Sequence, residues 1–110
     1  MSEVLDAAVL DDLIEHIGAE PAQAVIELFL GECRELTATI TAPGTDCSAV
    51  GRAAHSLKSS AGQLGASALS EAALAVESAA GSGSSALPQL VAALVECVRL
   101  TEAALAARLR

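Results

Sequence analysis

Aromatic side chains are almost missing from this sequence: Phe29 is the only one, and Trp and Tyr do not occur. Twisted sheets favour aromatic and β-branched residues, so the scarcity argues against a β-rich fold. The three cysteines, Cys33, Cys47 and Cys97, form no C-x-x-C pair and are odd in number. That pattern speaks against a disulfide framework or a zinc site and leaves them as small apolar residues on helices. No apolar run approaches the roughly 20 residues that span a bilayer. The opening Met1-Ser2-Glu3 lacks a basic n-region, so no secretory signal is visible and a reducing cytoplasm is the expected home. Cations are scarce as well: six Lys and Arg stand against fourteen Asp and Glu, a formal net charge of −8. Such a chain repels nucleic-acid phosphates and anionic membrane surfaces, and neither is an expected partner.

What is present is Ala, Leu and regular spacing. Hydrophobic residues make up 53% of the 110 positions, enough for one core in one domain spanning 1–110. Asp6 is placed to cap a first helix, with Leu5 and Leu10 as a hydrophobic staple. Leu10, Leu13, Ile14 and Ile17 share a face of that helix, and Gly18 ends it. Pro21 opens a second helix, expected over about 21–40, with an apolar stripe of Val25, Phe29, Cys33, Leu36 and Ile40 and with Ile26 beside it. Thr41-Ala42-Pro43-Gly44-Thr45 breaks the chain. Asp46 caps a third helix that runs to about Leu64, and Gly65 stops it. A fourth, about 67–80, presents Leu69, Ala73, Val76 and Ala80. Gly81-Ser82-Gly83-Ser84-Ser85 is a flexible loop. The last helix starts near Ala86, tolerates Pro88 in its first turn, and lines up Leu87, Val91, Leu94, Val98, Leu105 and Leu109. Arg108 and Arg110 suit its C-terminal end. The spacing thus predicts an all-α fold: an antiparallel four-helix bundle with an additional short N-terminal helix.

The third helix carries the chemistry. At about 100° per residue, Val50, Ala54, Leu57, Ala61 and Leu64 cluster on one face, and His55 falls about 140° from its centre. His55 therefore points to solvent. Its neighbours on adjacent turns are Ser48, Arg52, Ser59 and Gly62, and the small ones leave room for a large reactant. Lys58 lies three residues on, within reach of the same patch. A solvated neutral imidazole is a competent nucleophile near neutral pH, and a cation beside it suits a phosphoryl group. A lone helical histidine is ordinarily without special role, however. A metal site lacks partners, since His16 is the only other histidine and no H-x-x-x-H pairing exists. A Ser-His-Asp hydrolase lacks its nucleophile elbow.

The wider motif decides between these readings. Ala54-His55-Ser56-Leu57-Lys58-Ser59-Ser60, then Leu64-Gly65-Ala66 and Leu69, resembles the signature of histidine-phosphotransfer (HPt) domains. Glu77, Phe29 and Asp46 match further positions of that pattern, so the resemblance covers nearly the whole chain. Ser59 departs from it, standing where the family usually has glycine. Serine is still small, and Gly62 on the same face adds room. The resemblance implies a phosphoryl carrier rather than an ATP-dependent kinase, and no Gly-rich nucleotide loop is visible. It implies His55 as phosphoacceptor, with Lys58 stabilising the phosphate charge. It implies response-regulator receiver domains and a hybrid histidine kinase as partners. No cofactor is expected on this chain, Mg²⁺ being supplied by the receiver. Arg52, Leu13, Ile17 and Leu30 are the candidates for partner contact, and a monomer is expected. The alternative is a helical interaction module that binds receivers without accepting phosphate; retention of His55 together with Lys58 favours the carrier.

Overall fold

The structure, a computed structural model, describes residues 3–109. Among them are five helices and no strand: α1 (Ala7–Ile17), α2 (Ala19–Thr41), α3 (Cys47–Gln63), α4 (Ser67–Ser82) and α5 (Leu87–Arg108). Helix α3 packs against α2 and most extensively against α4, α4 packs on α5, and α5 closes the ring against α2. Connections of three to five residues between packed neighbours make α2–α5 an antiparallel bundle. The first helix lies outside it, against α2. The expected placement of Arg110 falls outside the described residues.

Local signals set most boundaries. Asp6 accepts from the Ala8 N–H at 3.1 Å and Asp46 from the Ala49 N–H at 2.7 Å, each satisfying an orphan donor of a helix N-terminus. Gly18 (φ 89°) separates α1 from α2 with no further residue between them. Helix α2 accordingly begins at Ala19, and Pro21 is its third residue rather than its first. The proline still fits, because N–H groups of a first turn need no intrahelical acceptor.

The core draws on every helix. Leu10, Ile26, Leu57, Leu69, Leu94 and Leu105 are its largest fully buried members. Deleting one of these side chains to alanine is worth about 2–5 kcal/mol. Cys33 is sealed among them, and burial pushes its thiol up to about 12. Of the expected stripe of α2, Phe29, Cys33 and Ile40 are buried and Leu36 packs against the core; Val25 alone is exposed, and Ile26, expected beside the stripe, is buried together with Ala22. In α5, Thr101 fills a core position of the helical repeat and satisfies its hydroxyl on the Cys97 carbonyl at 2.7 Å.

Two features fix α4 against α3, and with it the site. Small residues allow close approach: a Cβ on Gly51 would lie 3.8 Å from the Ala80 Cβ, and one on Gly62 would lie 3.6 Å from Ser70 Oγ. Ser70 Oγ also donates to the Lys58 carbonyl at 3.0 Å. At the α3–α4 turn, Gly65 adopts φ 76° and its carbonyl accepts from the Asp6 N–H at 2.7 Å, while the Ala68 N–H donates to the Glu3 carbonyl at 3.0 Å. The entry to α1 is thereby tied onto that turn.

Candidate functional site

His55 stands on the outer face of α3, as its helical phase requires, with 59% of its side chain exposed. Its Nδ1 lies 2.6 Å from Glu77 Oε2 on α4. The other oxygen of the same carboxylate, Oε1, accepts from Lys58 Nζ at 2.9 Å. One glutamate thus spans the α3–α4 seam and engages both candidate side chains of α3.

The electrostatics of this clamp favour the ionised form of Glu77. The Lys58 ammonium, through its hydrogen bond, is the main cause that holds the Glu77 carboxyl below the usual carboxylate range. Partial burial pushes it upward, and the hydrogen bond from His55 pulls it down further. An ionised carboxylate can only accept, so Nδ1 of His55 carries the proton of this hydrogen bond. In the neutral ring the lone pair is then on Nε2, the nitrogen away from Glu77. A carboxylate that fixes one ring nitrogen and leaves the other free to attack is a recurring way of preparing a histidine.

The sequence placed Lys58 within reach of the same patch as His55. In the structure it is held by Glu77, and its side chain is only 28% exposed. The open space beside His55 lies on the side of the expected neighbours Ser48 and Arg52, not on that of Ser59 and Gly62. The concavity is lined by residues toward the N-terminal end of α3, including Ser48, Gly51, Arg52 and Ser56, and by Ala80 and Gly81 across the seam. Ser59 is exposed one turn beyond His55, but neither it nor Gly62 lines this space. Gly62 is roughly 10 Å along the helix from His55 and instead abuts Ser70 of α4. Gly51 provides the room that Gly62 was expected to give. Arg52 lies exposed at the rim, its guanidinium donating to Ser48 Oγ at 2.7 Å.

The four partner-contact candidates separate. Leu13 is half-buried and lines a groove formed with α2 and α3. Ile17 is 40% exposed. Arg52 borders His55. Leu30 is half-buried against the core and does not line the groove. Val25 and Leu28, which were not singled out, do line it, and Leu28 is 75% exposed. The missing partner of His55 had a readable signal. Glu77 is four residues after Ala73 and three before Ala80, so it borders the apolar stripe of α4 where a charge needs a partner.

Among the described residues no group of His, Cys, Asp and Glu is arranged to hold a metal ion. No helix there is long and apolar enough to cross a membrane. A family model described as Hpt domain matches residues 24–108, which takes in α3, α4, α5 and most of α2. No curated protein and no solved structure matches the chain.

Proposed function

The chain belongs to the Hpt domain family, whose members carry out histidine phosphotransfer in two-component signalling, and on that premise we propose that His55 is its phosphoacceptor. The observation that carries the assignment is the Glu77 clamp: Nδ1 engaged at 2.6 Å, Nε2 free, and the ring largely in solvent. In the proposed step Nε2 attacks the phosphorus of an aspartyl phosphate on a receiver domain. The N–P bond forms as the bond from phosphorus to the aspartyl oxygen breaks, and that electron pair leaves with the aspartate carboxylate. The ring becomes cationic while it still holds the Nδ1 proton, and the Glu77 carboxylate compensates that charge. Transfer to a second receiver runs the same step in reverse. Mg²⁺ belongs to the receiver, and this chain contributes no cofactor.

Lys58 is the counter-charge for the phosphoryl oxygens, drawn from Glu77 as they arrive. Arg52, at the rim, meets the acidic phosphorylation pocket of the receiver. Small neighbours, Gly51 and Ser56 beside the ring and Ser59 one turn on, keep the line of attack open. A hybrid kinase's own receiver is the proposed donor, and the carrier acts as a cytoplasmic monomer. Incubation with a phosphorylated receiver, followed by mass mapping, should place the acid-labile phosphoryl group on His55 and lose it in His55→Gln. Persistence of the label in that variant would refute the assignment. Stable receiver binding with no transfer would support the interaction-module alternative.

A further inference from the structure

Cations are scarce on this chain, and nearly all of them are committed. Acids outnumber Lys and Arg by fourteen to six. Five of the six cations fall among the described residues. Arg34 pairs with Glu102, Lys58 with Glu77, Arg99 with Glu96 and Arg108 with Asp11. Arg52 alone of the five forms no ion pair among the described residues. Its guanidinium donates instead to the neutral hydroxyl of Ser48 at 2.7 Å. That uncommitted cation stands one turn from His55 on the outer face of α3 and borders the same hollow.

Helix geometry brings the imidazole toward it. Side chains of an α-helix lean toward its N-terminus, so a residue covers the turn that precedes its own Cα. For His55 that turn holds Gly51 and Arg52. The hollow agrees: it is lined by His55 together with Ser48, Gly51 and Arg52, and not by Ser59 or Gly62. Arg52 is three residues from His55, roughly 4.5 Å along the axis, a separation at which helical side chains meet. The two cations beside His55 also differ in availability. Lys58 is held by a carboxylate at 2.9 Å and is only 28% exposed, so engaging it means breaking an ion pair. Arg52 is exposed and gives up only a bond to a neutral hydroxyl. A guanidinium can meet two phosphoryl oxygens with two parallel N–H bonds, which one hydroxyl cannot match.

Resting on the phosphocarrier reading, we infer that Arg52 is a phosphoryl-binding residue. It leaves Ser48 and grips the phosphoryl oxygens on His55 Nε2 from the N-terminal side of the ring, with Lys58 on the C-terminal side. It does so in the free carrier, and the acidic pocket of a docked receiver then competes for the same guanidinium.

The test uses the full chain and phosphoramidate, a small donor that needs no docking, so contact with a receiver cannot account for the result. Nε2 attacks the donor phosphorus, and the donor's P–N bond breaks as its electron pair leaves with ammonia. Arg52→Ala is expected to slow labelling of His55 about fivefold or more, and Arg52→Lys, which keeps a charge without the fork, to slow it less. Arg99→Ala removes the same charge from α5 and should label at the wild-type rate. Far-UV circular dichroism confirms the fold of each variant. In ¹H–¹⁵N spectra of the arginine side chains, the Arg52 Nε–H signal should shift when the wild type is phosphorylated, while those of Arg34, Arg99 and Arg108 stay in place. Labelling of Arg52→Ala at the wild-type rate, or an Arg52 signal indifferent to phosphorylation, would overturn the inference. So would an equal loss in Arg52→Ala and Arg99→Ala, since net charge alone would then govern the rate. If the wild type labels on His55 in any of those cases, only the role of Arg52 fails. If neither phosphoramidate nor any phosphorylated receiver labels His55 of the wild type, the phosphocarrier reading itself falls, and the inference with it.

Discussion

Replacing Gly65 by alanine tests how α1 is fastened to the bundle. The residue adopts φ 76°, where an L side chain costs about 1–2 kcal/mol. An added Cβ would also lie 2.8 Å from Val9 Cβ and 3.0 Å from the Asp6 carbonyl oxygen. One neighbour is backbone, and Val9 is half-buried on a helix, so neither yields freely. Overpacking of that kind costs a further 1–3 kcal/mol or so, giving about 2–5 kcal/mol in total. Gly44 is the internal control. Its φ is 79° and nothing lies within 4 Å of where an added Cβ would sit. Gly44→Ala should therefore cost only the backbone component of about 1–2 kcal/mol. In a chain of this size each kcal/mol moves Tm by very roughly 4–8 °C. Thermal and urea unfolding of the two variants side by side should place Gly65→Ala clearly below Gly44→Ala. Equal midpoints would refute the claim that α1 is pressed against the α3–α4 turn.

Three further outcomes follow from the same geometry. Glu77→Ala should release His55 Nδ1, shift the ring toward a mixture of tautomers in ¹⁵N NMR spectra, and slow phosphoramidate labelling by about tenfold or more; an unchanged tautomer would remove Glu77 from the site. On acidification, the lowered Glu77 carboxyl should stay charged through the range where an ordinary glutamate protonates. Its contribution to stability is complete above that ordinary value and is lost as pH falls through the lowered one. Titration of the Glu77 carboxyl carbon at or above the ordinary value would contradict the clamp. Thr37 Oγ1 is buried without a hydrogen-bond partner, so Thr37→Val should leave the protein as stable or raise its stability by up to about 1 kcal/mol in urea unfolding; a clear loss would mean the hydroxyl has a partner.

The outward direction of His55 was readable because five apolar residues of the α3 segment fix its helical phase, and all five are buried. The caps at Asp6 and Asp46 were readable because side-chain oxygens act on backbone only two or three residues away. Contacts across the seam were not. Helical periodicity orders residues on one helix but carries no distance to another. The embrace of Lys58 by Glu77, 19 residues apart, and the space beside Gly51 and Ala80 therefore emerged only from the packed structure. The exposure of Val25 at one end of the α2 stripe has a related cause: Val25 and Ile26 are both strongly apolar, and only the packing of the neighbouring helices decides which one is buried. Leu30 and Leu28 are a similar pair, one turned toward the core and the other into water.

Every step of the proposed transfer depends on Glu77 holding Nδ1 of His55 and leaving Nε2 to take the phosphoryl group. Phosphorus-coupled ¹⁵N NMR of the phosphorylated chain measures this directly. The phosphorus–nitrogen coupling is expected at Nε2 of His55, with Nδ1 still protonated and hydrogen-bonded to Glu77. Coupling at Nδ1, or a phosphoryl group on any other residue, would contradict it.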